Sequence, residues 1–313
     1  MTSLGISNSE IQTIKRCRRK WYLAYYRCLG LKPEDAPLAG AAHLGTRVHH
    51  ALEAWYGRGE NPLVVERQLW EQSRDLVIAR GDEDALKNYD GDHEYAQIML
   101  EGYLQWAEEE GIDADYEVIG AEQEVRVPSG ISGVDLRGKL DVRMRRRTDG
   151  RRVFVDHKTA GTLQTPTLEI NEQFPMYALL ERLLPRQEGE RHTYTDGGIV
   201  NIIKRVKRTF RAKPPFYRRV EVRFNDHQLR ALWTRVHAVI RQILDTRAAL
   251  DRGVSHQEVA YPTPAGDCSW SCPFLKVCPL FDDGSRVEAA LAAHYVVIDP
   301  YERYAPRDTE VLV

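Results

Sequence analysis

The stretch from Gly133 to Thr159, GVDLRGKLDVRMRRRTDGRRVFVDHKT, limits the fold more than any other part of the chain. Alternating residues on either side of Asp149-Gly150 predict two strands, because that dipeptide suits a two-residue hairpin turn with positive φ at both positions. With such a turn setting the register, Thr148 faces Arg151 and Asp141 faces Lys158. Asp156 then lies two residues away on the same face. Directly opposed side chains in a sheet sit about 4.5–5.5 Å apart at Cβ, and diagonal ones about 7–8 Å. Two carboxylates and a lysine within that reach can share one divalent cation and act on one phosphate.

The rest of the chain is large enough to support such a site. Its 313 residues, 42% hydrophobic and 29% charged, suit a globular protein with a sizeable core. No run of about 18 apolar residues predicts a membrane span. The opening MTSLGISNSEIQ lacks a basic region followed by an apolar one, so the expectation is a cytoplasmic protein. A net charge of −2 neither favours nor excludes a polyanionic partner. Its distribution is more informative. Lys204, Arg205, Lys207, Arg208, Arg211, Lys213, Arg218 and Arg219 fall in a stretch without a single acid, and Arg143, Arg145, Arg146, Arg147, Arg151 and Arg152 form a second basic run. Such asymmetry suits a groove that tracks phosphates; a solvated face is the plainer reading of either run alone.

Read in order, Ser7-x-x-Glu10 is a capping box that predicts a helix to about Tyr26, with Cys17 on or beside its apolar stripe. A second helix, from about Ala41 to Tyr56, carries His49 and Glu53 four apart on one face. An isolated helical histidine is more often structural than a ligand, and His50 is read as structural. Residues 62–110 read as helical with a break at Gly81-Asp82. A strand follows over 116–128, with a slip near Gly120 and a further carboxylate at Glu122. After the hairpin come a helix over about 168–184 carrying Gln173 and Tyr177, strands at 197–206 and 217–224, and an amphipathic helix from about Asp226 to Arg252. The tail holds a short helix at 285–294 and then an extended segment.

Five cysteines, an odd number without secretory context, make a poor disulfide framework. Cys268, Cys272 and Cys278 form a compact thiolate group that suits an iron–sulfur cluster, with zinc as the competing reading. Three ligands leave one place, which either Cys17 or Cys28 could fill.

The order GTRVH (His49), GKLD (Asp141), VDHK (Asp156, Lys158), QFPMY (Gln173, Tyr177) and the final cysteine triplet resembles the RecB-type branch of the PD-(D/E)XK nucleases. Within it the chain is most similar to the iron–sulfur exonucleases of CRISPR adaptation, the AddB subunit and their phage relatives. The resemblance spans about residues 7–282. It implies an α/β restriction-endonuclease-like core, a mixed central sheet flanked by helices, with a helical insertion and an iron–sulfur C-terminal segment. One nuclease domain over 1–313 is then expected: N-terminal helices at 1–58, the insertion at 59–112, the core at 113–252, and the cysteine segment and tail at 253–313.

The resemblance further implies that His49, Asp141, Asp156 and the backbone carbonyl of His157 hold Mg²⁺ or Mn²⁺, while Lys158 positions the attacking water. It implies that Gln173 and Tyr177 orient the nucleic-acid strand, with Glu122 matching a carboxylate on the preceding strand. It makes Cys17, not Cys28, the fourth ligand of a [4Fe–4S] cluster, although Arg18 stands where a proline is common. The implied activity is a metal-dependent DNA exonuclease acting on single strands or free ends, with Lys204, Arg205, Lys207, Arg208, Arg211 and Lys213 on the DNA. A helicase or recombination protein is a candidate partner. Two other readings remain beside it: a DNA-end-binding adaptor with an inactive site, and a cluster-based redox sensor.

Overall fold

A computed structural model describes residues 3–37, 39–164, 166–187, 195 and 197–304. The far end of the tail, at 305–313, lies outside the described residues. The elements in chain order begin with β1 (Leu4–Ser7), α1 (Asn8–Arg16), α2 (Arg18–Trp21) and β2 (Leu29–Leu31). Three long helices follow, α3 (Ala41–Arg58), α4 (Pro62–Ala79) and α5 (Glu83–Glu109). Next come β3 (Tyr116–Pro128), β4 (Val134–Arg146), β5 (Arg152–Ala160), α6 (Gln173–Gln187), β6 (Gly197–Lys204), β7 (Tyr217–Arg223) and α7 (Asp226–Asp251). Two single turns, α8 (His256–Val259) and α9 (Cys268–Ser271), lead to α10 (Val287–His294) and β8 (Tyr295–Val297).

The chain divides into two compact units. Among the described residues, the first comprises those of 3–36, 128–137 and 230–304, and the second those of 37–127 and 138–229. In the first unit β1 runs parallel to the opening residues of β4, Leu4 opposite Val134 through Ser7 opposite Arg137. The Ser7 hydroxyl accepts from Glu10 N at 3.2 Å, the cap that starts α1. The single helix expected as far as Tyr26 is instead interrupted at Cys17, whose backbone is extended (φ −158°, ψ 115°). The Cys17 thiol there accepts from Lys20 N at 3.5 Å and so caps α2, which removes Cys17 from the apolar stripe. β2 pairs antiparallel with β8, and Leu23, Leu29, Phe274, Val277, Phe281, Leu291 and Tyr295 form a buried cluster around them.

The second unit is a mixed sheet with helices. β4 and β5 are antiparallel, β5 and β6 parallel, β6 and β7 antiparallel, and β3 pairs with β4 on the other side. The helices pack through Leu44, Val48, Leu52, Met99 and Leu100, which join Ile203 and Tyr217 of the sheet in one buried cluster. The mixed α/β core flanked by helices therefore agrees with the sequence. Helix α6 starts later than expected, where Asn171 Oδ1 accepts from Gln173 N at 2.9 Å.

The hairpin differs from its sequence reading. Arg146 N donates to Arg151 O (2.8 Å) and Gly150 N to Arg146 O (2.9 Å), closing a loop of four residues rather than two. Gly150 alone of the expected turn pair takes a positive φ, 70°; Asp149 does not. Asp149 instead spends its carboxylate on Arg151 N, at 3.1 Å. The register slides by two residues, so that Val142 faces Val155 and Arg145 faces Arg152. A slip of two keeps every side chain on its expected face. Carried one residue further, the ladder puts Asp141 across from Asp156, not Lys158.

The second basic run is also corrected. Arg143 and Arg152 are buried and both engage the buried Glu181 of α6, Arg152 Nη1 at 3.7 Å from Glu181 Oε2. These two guanidinium groups tie sheet to helix and are not part of a phosphate groove. None of the described helices is long and apolar enough to cross a membrane.

Candidate active site

Two close approaches deliver helices to the acidic strands. Gly45 of α3 lies against β5 so tightly that a Cβ there would stand 3.0 Å from Thr159 Oγ1. One turn later on the same helix face is His49. Gly138 of β4 lies under α6, where a Cβ would come within 2.5 Å of Leu180 Cδ1. The two glycines of the GTRVH and GKLD segments thus serve backbone approach, and they bring His49, Gln173 and Tyr177 to one place.

His49 Nδ1 is 3.3 Å from Asp141 Oδ2, and His157 N donates to that same oxygen at 2.8 Å. Ligand atoms of His49, Glu122 and Asp141 all lie within 4.8 Å of one another. Glu122 owes its place to a kink in β3, having φ 48° where the sequence showed only a slip near Gly120. Its carboxylate also meets Lys139 Nζ at 2.6 Å. Lys139 is a site residue that the sequence reading passed over. The available signal was alternation, since positions 139 and 141 share a strand face.

Asp156 is almost wholly buried, and its two oxygens lie 3.1 Å and 2.9 Å from Lys158 Nζ. Lys158 Nζ also donates to Gln173 Oε1 at 3.1 Å, and Gln173 Nε2 donates to the Tyr177 hydroxyl at 2.8 Å. The chain Asp156–Lys158–Gln173–Tyr177 is continuous. It fixes an ammonium that would otherwise sweep out many rotamers.

The electrostatics separate the two aspartates. Burial pushes Asp141 upward, but His49 overcomes this and holds the carboxyl well below the usual range. Asp156 is pushed up to about 6 by burial and by the Asp141 charge, against the opposing pull of Lys158. Burial and then Asp141 also raise Glu122. Crowded, desolvated carboxylates of this kind favour a cation among them. Asp156 Oδ2 is in addition a buried oxygen that accepts no hydrogen bond, the nearby ammonium lying off its hydrogen-bonding direction. Carboxylates with one imidazole are a donor set suited to Mg²⁺ or Mn²⁺, the imidazole tilting it toward Mn²⁺.

Beneath the site, the ring of His157 is buried and held neutral, its pKa lowered by burial to about 3. Asn201 Nδ2 meets His157 Nδ1 at 3.1 Å, Tyr56 stacks on the ring at 5.4 Å, and the His49 ring meets it edge-on at 6.1 Å. The sequence reading used this residue only for its backbone carbonyl.

In the first unit, Cys17, Cys268, Cys272 and Cys278 line one cavity of about 270 Å³ together with Arg19, Lys20 and Phe274. Cys28 is elsewhere, at the start of β2 with φ 55°, its thiol 3.7 Å from Tyr25 O. Among the described residues no three sulfurs come within 4.8 Å of one another. The basic stretch after β6 has several duties. Lys207 Nζ is 2.5 Å from Glu94 Oε2, and Arg208 lies 3.5 Å over the Phe216 ring.

In comparison with known proteins, the model of the PD-(D/E)XK nuclease superfamily matches residues 5–279. No curated protein matches the chain.

Proposed function

The chain belongs to the PD-(D/E)XK nuclease superfamily, and on that footing we propose that it is a metal-dependent DNA exonuclease working from free or single-stranded ends, in recombination, repair or phage DNA processing in the cytoplasm. The observation that carries the reading is the convergence of His49, Glu122 and Asp141 beside the Asp156–Lys158–Gln173–Tyr177 chain. We read both compact units as serving one nuclease, since the family match draws on segments of each.

His49, Asp141, Asp156 and the His157 carbonyl would hold the cation, with Glu122 added to that set by its position. Once bound, a divalent cation polarises the scissile phosphate and lowers the pKa of a coordinated water. Lys158 acts on the same phosphate, orienting the water and stabilising negative charge as it builds on the phosphate oxygens. Gln173 holds that ammonium in place through its carbonyl, and Tyr177 holds Gln173. The His157 amide fixes the Asp141 carboxylate through a hydrogen bond of 2.8 Å.

We also read the four-cysteine cavity as the seat of a [4Fe–4S] cluster. A single tetrahedral zinc draws its sulfurs to roughly 3.8 Å apart, from Zn–S bonds of about 2.3 Å. The cavity of about 270 Å³ that the four thiols line offers room for a polynuclear centre. Its role would be a clasp between the α1–α2 break and the C-terminal cysteines.

One experiment tests the nuclease reading directly: end-labelled single- and double-stranded DNA incubated with Mn²⁺, resolved by product length over time. Progressive shortening from an end, abolished by EDTA, is expected. Intact DNA of both kinds under every metal would overturn it.

A further inference from the structure

We propose that Phe210, at the tip of the connection between β6 and β7, is a stacking platform for the bases of single-stranded DNA, with Arg211 and Lys213 on the adjoining phosphates. The identity of the polymer rests on the nuclease reading above.

The chain has seven phenylalanines. Phe154, Phe174, Phe224, Phe274 and Phe281 are buried, and Phe216 is half-buried beneath Arg208. Phe210 is 91% exposed. Packing supplies no reason for a ring at that position. The backbone presents it deliberately: Ala212 N donates to Thr209 O at 2.9 Å, closing a turn with Phe210 and Arg211 at its corner.

The stem of the loop is braced while its tip is not. Arg208 donates to the Tyr217 hydroxyl at 2.6 Å and covers the Phe216 ring, and Lys207 pairs with Glu94. These cations are occupied in holding the loop upright. Arg211 and Lys213 are exposed at the tip, the Arg211 guanidinium 5.2 Å from the Phe210 ring centroid. An aromatic face flanked by cations, in a stretch from Lys204 to Arg219 without an acid, is complementary to a flexible polyanion of stackable bases.

The topology starts this loop at the strand end next to Lys158. β5 and β6 are parallel, Lys158 lies opposite Ile202 and Ala160 opposite Lys204, and Arg205 N donates to Ala160 O at 2.7 Å. The loop therefore leaves the sheet two residues beyond Lys158, roughly 7 Å along the strand. A DNA strand leaving the acidic cluster in that direction meets the loop next. Internal base pairs of a duplex have no free face for the ring, so the feature favours single strands.

The test uses the full chain in EDTA, so that nothing is cut, and a fluorescent oligo-dT probe carrying 2-aminopurine, beside a blunt duplex of the same length. Phe210→Ala should weaken single-strand binding about 5–150-fold, the range for one lost base stack. It should abolish the protein-induced change in 2-aminopurine emission, leave duplex affinity unchanged and leave the salt slope unaltered. Phe210→Trp should restore both signals. Arg211→Ala should instead reduce the salt slope by about 0.7, the signature of one lost phosphate contact. Wild-type protein that fails to bind the single strand, Phe210→Ala with unchanged affinity, or an equal loss on duplex and single strand would each overturn the proposal. Phe210-dependent binding by a protein that never cuts DNA would refute the nuclease reading and leave this one standing.

Discussion

His49 Nδ1 lies 3.3 Å from Asp141 Oδ2, which joins helix α3 to strand β4 at the proposed cation seat. Nothing local in the chain brings these residues together. The contact depends on how closely α3 approaches β5, and Gly45 sets that distance against Thr159. The geometry of the candidate site and the packing of α3 are therefore one problem here.

Gly45→Val should push α3 off the sheet. Overpacking of this sort costs roughly 1–3 kcal/mol, so a lowered Tm is expected with the fold retained. The larger effect should fall on cleavage and on the Mn²⁺ concentration required, because His49 moves with the helix. An unchanged metal requirement in folded protein would show that α3 does not set the seat.

Lys158→Ala should lower the cleavage rate by about 10²–10³, the usual loss for one preorganised electrostatic donor. Gln173→Leu should reproduce part of that loss, since it removes one of the two groups that hold the ammonium, Asp156 being the other. Initial rates on labelled DNA, with circular dichroism as the folding control, provide the check. Full activity in Lys158→Ala would remove this residue from the chemistry.

Glu122→Gln separates two views of that carboxylate. If it belongs to the cation seat, the Mn²⁺ concentration for half-maximal rate should rise at least tenfold, by analogy with losses of about 10–100-fold for groups that support a metal ligand. Glu124→Gln, on the same strand, should leave it alone. Identical metal titrations for both variants would return Glu122 to a packing role.

Arg143→Ala leaves the buried Glu181 with Arg152 as its remaining cation among the described residues. Removing one partner of a buried ion pair costs about 3–5 kcal/mol, and the remaining arginine should keep this loss near the lower end. Urea denaturation would measure it. The salt dependence of DNA binding should not change, whereas a reduced slope in a fully stable variant would place Arg143 on phosphate after all.

Anaerobically purified protein should be brown, with iron and sulfide near four each, about one [4Fe–4S] cluster per chain. Cys17→Ser should lose the colour and the iron, and Cys28→Ser should keep both. Colourless, zinc-loaded protein would replace the cluster with a mononuclear site.

Several features were legible in the chain because they depend on short-range chemistry. Strand alternation put Asp141 and Asp156 on one face, and it survived the misread turn because the register slipped by two residues. Helical spacing paired Gln173 with Tyr177, and motif order pointed to the nuclease family. Competition among short-range contacts and tertiary packing decided the rest. The turn type was settled by Asp149 turning its carboxylate on Arg151 N, and the fate of Arg143 and Arg152 by Glu181, which only packing brings beneath them. The place of Glu122 depended on a kinked residue in β3, and the break at Cys17 on a thiol capping the helix that follows. In each case a side chain had several partners of similar strength within reach. Local pattern states which face a residue occupies, but the choice among partners is made by whichever arrangement leaves the fewest buried charges and polar groups unmatched across the whole fold.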